Sequence, residues 1–213
     1  MGGHARGRGR GDLSGPGGGS GPGAPASATS HVRRAGAGRT ASGDRVWWSV
    51  AEGKRGRRWR EAIVGPEGIR HSLLFETFPD GRFSHLELTT AAGLLTLHPE
   101  GDGTLHGNAV EASGVRHLVG LPWDDDGIVD IEGSPVAAAA GVHRLAGELA
   151  AGESVRRSVL RVTGGLLITT GPGTVERVEA DAWRVSGGSV YRVDADGLPV
   201  LQDGEGWPLE QAE

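Results

Sequence analysis

Four histidines are the first candidates for chemistry, because imidazole nitrogens bind divalent metal ions. They are His85, His98, His106 and His117, on successive predicted strands at spacings of 13, 8 and 11 residues. These spacings match no metal-ligand motif, and the chain has no cysteine to complete a zinc site. The pattern therefore favours solvated or hydrogen-bonded histidines on a sheet, and we expect no metal and no other cofactor.

Three consecutive aspartates, Asp124, Asp125 and Asp126, are a second candidate, since carboxylates bind calcium. The alternating Asp-x-Asp-x-Asp loop with its terminal glutamate is missing, which favours a polar turn after Trp123. The sequence contains no Gly-x-Ser-x-Gly nucleophile elbow and no Gly-x-x-x-x-Gly-Lys phosphate loop. We therefore expect a non-catalytic protein, with an uncharacterised enzyme as an alternative.

Two arginine-rich segments could bind nucleic-acid phosphates. Residues 6–11 alternate arginine and glycine, as do segments that bind RNA, and residues 54–60 combine basic side chains with Trp59. The whole chain carries a net charge of −5 and its first 44 residues carry +4, which leaves −9 on residues 45–213. This acidity repels phosphates outside the two segments. An arginine-rich strand edge that prevents edge-to-edge pairing also explains the second segment, so association with nucleic acid stays an alternative.

Composition divides the chain into a leader and one folded domain. Residues 1–44 contain 14 glycines and few large apolar side chains, too few to offset the entropy lost on ordering. We predict a disordered leader over residues 1–44 and one globular domain over residues 45–213, which contains all six tryptophans. No signal peptide and no long apolar run is recognisable, so the predicted location is the cytoplasm and no transmembrane segment is expected.

Short alternating runs separated by turn residues predict a mainly β domain. Leu86, Leu88 and Thr90 fall on one face of a strand, and Leu95 and Leu97 continue the pattern after the next turn. The other predicted strands are residues 45–51, 57–64, 69–78, 104–111, 126–132, 155–162, 165–170, 174–186, 188–194 and 198–202. Their short connections predict antiparallel neighbours throughout.

One helix is predicted over residues 135–151. Ser134 is a preferred N-cap residue, and Pro135 suits the first helical position because no N–H is needed there. Gly152 can end the helix. An apolar stripe is formed by Ala138, Val142, Leu145 and Leu149. We expect this stripe to pack against the concave face of the sheet.

The predicted helix and its flanks carry several short motifs. Asp130, Ser134-Pro135, Val142 and Arg144-Leu145 are similar to an Asp…Ser-Pro…Ile-x-Arg-Leu signature. Further motifs on both sides extend the similarity over residues 57–208; they are Trp59-Arg60, Gly152-Glu153-Ser154, Val193–Leu198 and Trp207. With these motifs the chain resembles a bacterial family described as glycolipid-binding.

The resemblance implies a spiral β-roll, in which a single antiparallel sheet is rolled around one α-helix, with a tendency to form homodimers. It also implies an amphiphilic ligand, a lipid or glycolipid, because the family fold is similar to that of lipoprotein carriers. Residues 136–141 read Val-Ala-Ala-Ala-Ala-Gly where the family commonly has polar residues, and Arg70 stands near the position of a family glutamate.

The tryptophans are either core residues or, in part, the lining of a cavity beside the helix, where an indole suits an amphiphile. Arg144 and Tyr191 are the candidate polar contacts for a head group. The full set of candidate ligand-binding residues is Trp59, Arg70, Trp123, Arg144, Trp183 and Tyr191.

Overall fold

The computed structural model describes residues 33–208, and this part of the chain is mainly β, as the sequence predicts. It contains fifteen strands, one α-helix and one 3₁₀ turn. The strands are β1 (Arg33–Arg39), β2 (Arg45–Gly53), β3 (Gly56–Gly65), β4 (Gly68–Thr77), β5 (Phe83–Thr90), β6 (Gly93–Pro99), β7 (Thr104–Glu111), β8 (Gly114–Pro122), β9 (Ile128–Ile131), β10 (Ser154–Val162), β11 (Ile168–Arg177), β12 (Ala182–Val185), β13 (Val190–Val193), β14 (Pro199–Val200) and β15 (Gln202–Pro208). The helix α1 spans Pro135–His143, and the 3₁₀ turn spans Arg144–Gly147.

The strands are divided between two sheets. Nine form a large antiparallel sheet in the order β15-β1-β2-β3-β4-β5-β6-β7-β8, and six form a smaller sheet in the order β14-β13-β12-β11-β10-β9. A short connection from β8 to β9 and the single residue between β14 and β15 join the edges of one sheet to the edges of the other. Buried residues of both sheets and of α1 form one hydrophobic core, so the chain folds as a roll around its helix.

The helix occupies the connection between two parallel strands. β9 pairs with β10 in parallel, with Ile128 opposite Val159. The prediction of antiparallel neighbours throughout is wrong at this pair. Parallel neighbours need a crossover of a dozen or more residues, and α1 with its 3₁₀ turn supplies it.

β1 corrects the boundary of the predicted leader. Its backbone pairs with β2 on one side and with β15 on the other; Gly36, for example, lies opposite both Trp48 and Gly206. These backbone hydrogen bonds order a segment that has almost no large apolar side chains. The prediction of disorder is therefore wrong for residues 33–39, while residues 1–32 lie outside the described residues.

Other strand assignments also differ from the prediction. β8 and most of β15 were not predicted, because neither segment has a clear alternation of apolar and polar residues. The predicted strands over residues 165–170 and 174–186 are joined in β11, and the rest of the second one forms β12. A tight turn, in which the backbone N–H groups of Val178 and Glu179 donate to the carbonyl of Ala182, separates β11 from β12.

The helix is shorter and more deeply buried than predicted. Ser134 caps it and Pro135 begins it, as expected, but the α-helix ends at His143 rather than near residue 151. Beyond it, the carbonyls of Ala146 and Leu149 accept hydrogen bonds from the guanidinium of Arg177 at 3.1 and 2.6 Å. The helix is buried on almost every side, since it contacts β3 and β4 of the large sheet and β9, β13 and β14 of the smaller one.

The 3₁₀ turn provides a test of this packing. Leu145 is fully buried, with 0% of its surface exposed, whereas Leu149 is only partly buried at the edge of the core. We expect Leu145→Ala to lower the free energy of unfolding by about 2–5 kcal/mol, because it leaves a cavity, and Leu149→Ala to lower it by less. Urea unfolding of both variants measures the difference. A loss below about 0.5 kcal/mol for Leu145→Ala would contradict the packing described here.

Candidate functional site

A buried carboxylate lies on the inner face of the large sheet. Glu61 of β3 has 0% of its side chain exposed, and its neighbours in register are Trp48 of β2 and Leu73 of β4. The residues two positions away along β3, Trp59 and Ile63, are buried on the same face. Burial of a carboxylate in such an apolar row lowers the stability of the fold by several kcal/mol unless hydrogen-bond donors surround it.

Glu61 receives three hydrogen bonds from two segments, β4 and the N-terminus of α1. Nε2 of His71 on β4 lies 2.6 Å from Oε1, and the hydroxyl of Ser134 donates to the same oxygen at 2.6 Å. The backbone N–H of Val136 donates to Oε2 at 3.1 Å. The Ser134 hydroxyl in turn accepts from the backbone N–H of Ala137 at 3.0 Å, as an N-cap does. The carboxylate thus lies at the positive end of the helix dipole and joins the large sheet to α1.

The same three side chains also occur in hydrolases, but their arrangement differs. In a catalytic triad the histidine contacts the nucleophile, whereas here His71 and Ser134 both bind the carboxylate. Ser134 is fully buried and caps the helix, so its hydroxyl is already engaged. The Glu61 cluster is therefore a structural anchor for the helix.

Removal of the Glu61 carboxylate tests this anchor. Glu61→Leu leaves the donors of His71, Ser134 and Val136 buried without an acceptor, so we expect the free energy of unfolding to fall by about 3–5 kcal/mol. Glu61→Gln keeps one acceptor oxygen and the side-chain volume, and we expect it to lose less. Both are measured by urea unfolding at neutral pH. Equal stability of Glu61→Leu and the unmodified protein would show that the cluster does not hold the helix.

A pocket of about 270 Å³ lies where the two sheets meet beside β14, and we name it the seam pocket. Seven of its ten lining residues are apolar or glycine and form its floor, although polar and apolar atoms contribute about equally to its exposed surface; the seven are Ala37, Trp48, Leu198, Pro199, Val200, Leu201 and Gly204. Its charged residues are Arg34, Asp194 and Asp196. Because Trp48 lies opposite Glu61 in register, the floor adjoins the buried anchor.

One wall of the seam pocket is held by the loop that leads into β14. The guanidinium of Arg57 donates to the backbone carbonyl of Asp196 at 3.3 Å. Gly197 has a φ of +74° and packs on the ring of His143, where a Cβ would lie 2.6 Å from Cδ2. Burial and then the nearby charge of Arg57 lower the pKa of His143, and the charge of Glu52 opposes them. His143 is therefore held in its neutral form at the helix end.

The lowered pKa of His143 predicts a pH dependence of stability. The unfolded chain takes up a proton near pH 6.5, whereas the folded chain takes it up only at lower pH. The contribution of His143 to stability is thus complete above about pH 6.5 and is lost as the pH falls below that value. We expect His143→Gln to flatten the acid side of a plot of urea midpoint against pH. The exposed His117→Gln is the control, and an identical profile for both variants would contradict the assignment.

The predicted site residues Trp59 and Trp123 belong to one aromatic run inside the roll. Trp59 lies opposite Phe75, whose ring is 5.4 Å from Phe83, and Phe83 meets the edge of Trp123 at 5.7 Å. The guanidinium of Arg57 lies 5.7 Å from the ring centre of Trp59. Both tryptophans are therefore core residues. Arg57, which lies over Trp59, also contacts Asp196 of the seam pocket.

Trp183 and Tyr191 face each other across β12 and β13 in the smaller sheet. The guanidinium of Arg177 lies 5.3 Å from the ring centre of Trp183. Burial, followed by the charges of Asp130 and Glu61, raises the pKa of Tyr191. The phenol therefore keeps its proton at neutral pH and can act as a hydrogen-bond donor.

Two buried indole groups stand out among the candidates. Nε1 of Trp59 and Nε1 of Trp183 have no hydrogen-bond partner within the described part of the chain. Buried polar groups are nearly always paired, and a donor left unpaired costs about 1–3 kcal/mol. Both groups are therefore able to donate to an oxygen that the described residues do not supply.

The two predicted arginines are engaged elsewhere. Arg144 donates to the carboxylate of Asp126 at 2.7 Å and to its backbone carbonyl at 2.9 Å, which fastens the 3₁₀ turn to the β8–β9 connection. Arg70 is 60% exposed and pairs with Asp44 at 3.0 Å beside the β1–β2 turn. Neither arginine lines the seam pocket.

Three of the four sheet histidines make a side-chain hydrogen bond: His85 lies 3.1 Å from Glu87, His98 lies 3.1 Å from Glu100, and His117 lies 2.7 Å from Asn108. His106 lies 3.9 Å from the same Glu100. Among residues 33–208, no group of three or more histidines or acidic residues is arranged to hold a metal ion. Hydrogen bonding on the sheet, which the sequence favours for these histidines, is thus found for three of the four.

Sequence reasoning did not find the Glu61 cluster or the seam pocket. A signal for Glu61 was present, because it occupies an inward position of a strand between Trp59 and Ile63. The seam pocket had no such signal. It combines residues of β1, β2 and the β14 region, which the chain brings together only when the two sheets meet.

The sequence matches no protein-family model and no curated protein. A crystal structure of a DUF1089 family protein from Pseudomonas aeruginosa has a similar fold, with a TM-score of 0.50 at 17% sequence identity. The similarity covers 72% of this chain and 86% of that protein. At this identity it supports the β-rich fold, while the amphiphilic ligand and the homodimer remain predictions. In the described part of the chain, no helix is long and apolar enough to cross a membrane.

Proposed function

We propose that this protein is a non-catalytic cytoplasmic binding protein for an amphiphilic small molecule, a lipid or glycolipid, and that the seam pocket receives its apolar part. The observation that carries this proposal is the pocket itself, in which an apolar floor from both sheets adjoins charged side chains. Sites for small molecules typically combine a mostly apolar lining with a few polar groups that orient the ligand.

The size of the seam pocket limits the ligand. A volume of about 270 Å³ is below the roughly 300–1,000 Å³ of a typical drug-sized site, so one short apolar segment fits and two acyl chains do not. The ligand class is therefore a single-chain amphiphile.

The charged residues of the pocket favour a head group that offers an oxygen acceptor to the arginine and a cationic or hydroxyl group to the aspartate. Arg34 can donate to a phosphate or a sugar oxygen, and Asp196 can accept from a cationic or hydroxyl group. Asp194 is already engaged, since one of its oxygens accepts from the backbone N–H groups of Asp196 and Leu198 at 2.9 Å each. A zwitterionic or glycosyl head group matches this combination better than a purely anionic one.

The two unpaired indole groups lie apart from the seam pocket. Trp59 and Trp183 each offer one buried N–H that no described residue accepts, and neither residue lines the pocket. A buried water molecule can accept from such a group, so the proposed ligand site does not depend on them.

A carboxylate placed in the floor of the pocket tests the proposal. Val200 lines the seam pocket and is 51% exposed, so Val200→Glu alters the floor with little effect on folding. We expect it to weaken the binding of octanoyl lysophosphatidylcholine, supplied below its critical micelle concentration, by more than about tenfold, because a charge opposes burial of the chain. Isothermal titration calorimetry measures the affinity.

The matched control is Val190→Glu, which adds the same carboxylate at a valine that is 44% exposed on the neighbouring strand β13 and does not line the pocket. We expect this control to bind as the unmodified protein does. Native mass spectrometry of protein purified from its own host should also reveal a co-purifying single-chain lipid. Equal affinity of both variants, or no binding by the unmodified protein, would contradict the proposal.

A further inference from the structure

A basic groove of about 770 Å³ runs along the tip of the β2–β3 hairpin. It is lined by residues 51–58 of the hairpin tip together with Arg33, Glu76, Thr77 and Ser84. Five of these side chains are basic and two are acidic, in a chain whose net charge is −5. The groove is thus a local concentration of positive charge on an acidic protein.

Three of the five cations are available to an external partner. Arg57 pairs with Glu52 at 2.8 Å, and Arg58 pairs with Glu76. Arg33, Lys54 and Arg55 form no ion pair with a carboxylate of the described residues. These three side chains give the groove its net positive charge.

An exposed aromatic side chain lies beside the basic groove. Phe78, in the turn after β4, is 47% exposed. The hairpin tip packs closely on this turn, since a Cβ on Gly56 would lie 2.7 Å from the carbonyl carbon of Phe78. Basic side chains next to an exposed phenylalanine are the combination that peripheral proteins use at the membrane interface.

The groove also adjoins the seam pocket. Arg57 lines the groove, and its guanidinium donates to the backbone carbonyl of Asp196, a residue of the pocket, at 3.3 Å. A surface that contacts the groove would therefore lie next to the pocket.

We propose that the basic groove and Phe78 dock on the surface of an anionic lipid bilayer. Lys54, Arg55 and Arg33 contact the anionic head groups, and Phe78 enters the interface between head groups and acyl chains. The groove offers one exposed aromatic at a turn, whereas proteins that bind single-stranded nucleic acid stack successive bases on several aromatics.

The docking itself does not need a ligand in the seam pocket. The consequence that the pocket faces the bilayer, where it can exchange a single-chain lipid, rests on the proposed function.

Vesicle co-sedimentation of the full chain tests the docking. We expect binding to vesicles of phosphatidylcholine and phosphatidylglycerol in a three-to-one ratio, and none to phosphatidylcholine alone. Lys54→Gln combined with Arg55→Gln should weaken binding roughly 30-fold, because each basic residue near such a surface contributes about 1 kcal/mol. Phe78→Ala should weaken it about tenfold through the lost apolar contact. Raised salt should release the protein, since exposed charges are screened.

The matched control removes two exposed arginines that do not line the groove, Arg45 at the opposite end of β2 from the hairpin tip and Arg156 on β10. Arg45→Gln combined with Arg156→Gln should change binding less than about threefold. An equal loss in this control would overturn the proposal, because net charge alone would then explain the binding. Equal binding to both kinds of vesicle would also overturn it. So would displacement of the protein from anionic vesicles by a single-stranded RNA homopolymer at a lower concentration than the lipid, because the groove would then prefer nucleic acid.

The two proposals fail separately. If Lys54→Gln with Arg55→Gln loses vesicle binding but keeps its affinity for the soluble lysolipid, the groove docks and the pocket binds. If the unmodified protein binds anionic vesicles but Val200→Glu and Val190→Glu have equal lysolipid affinity, the docking stands and the seam pocket is not the ligand site.

Discussion

The carboxylate of Glu61 needs hydrogen-bond donors in the middle of an apolar sheet face, and this requirement determines where the helix lies. Its donors come from β4, from the residue that caps α1 and from the first turn of α1. A helix N-terminus offers unpaired backbone N–H groups and a partial positive charge, so it suits a buried carboxylate. The alanines of α1 then allow both sheets to approach the helix closely, which completes the core.

The position of the helix explains why the β strands separate into two sheets. α1 is the crossover between the parallel strands β9 and β10, and the smaller sheet grows from this pair. The large sheet ends at β8 on one side and at β15 on the other, and each end continues into the smaller sheet through a short connection. The seam pocket lies at one of these junctions because β14 and β15 belong to different sheets although they are adjacent in sequence.

The features on which the two proposals rest lie around this junction. The seam pocket, the neutral His143 and the basic groove are linked through Arg57, which pairs with Glu52, covers Trp59 and donates to Asp196. The arginine is therefore both a wall of the groove and a support of the pocket. The charge distribution matches this arrangement, since the chain as a whole is acidic and the hairpin tip beside the pocket is basic.

The sequence by itself determined the elements that depend on local chemistry. Alternation around Leu86 and Leu88, the glycine-rich turns and the cap at Ser134 predicted the strands and the start of α1, because these patterns act within a few residues. Only the tertiary structure decided that β1 is an ordered strand, that α1 ends at His143, which groups bind Glu61 and where the seam pocket forms. Each of these joins distant segments; Glu61, for example, bonds to groups 73 and 75 positions away. No local pattern encodes such contacts, because the free energy of burying Glu61 with its donors exists only once both sheets and the helix have met.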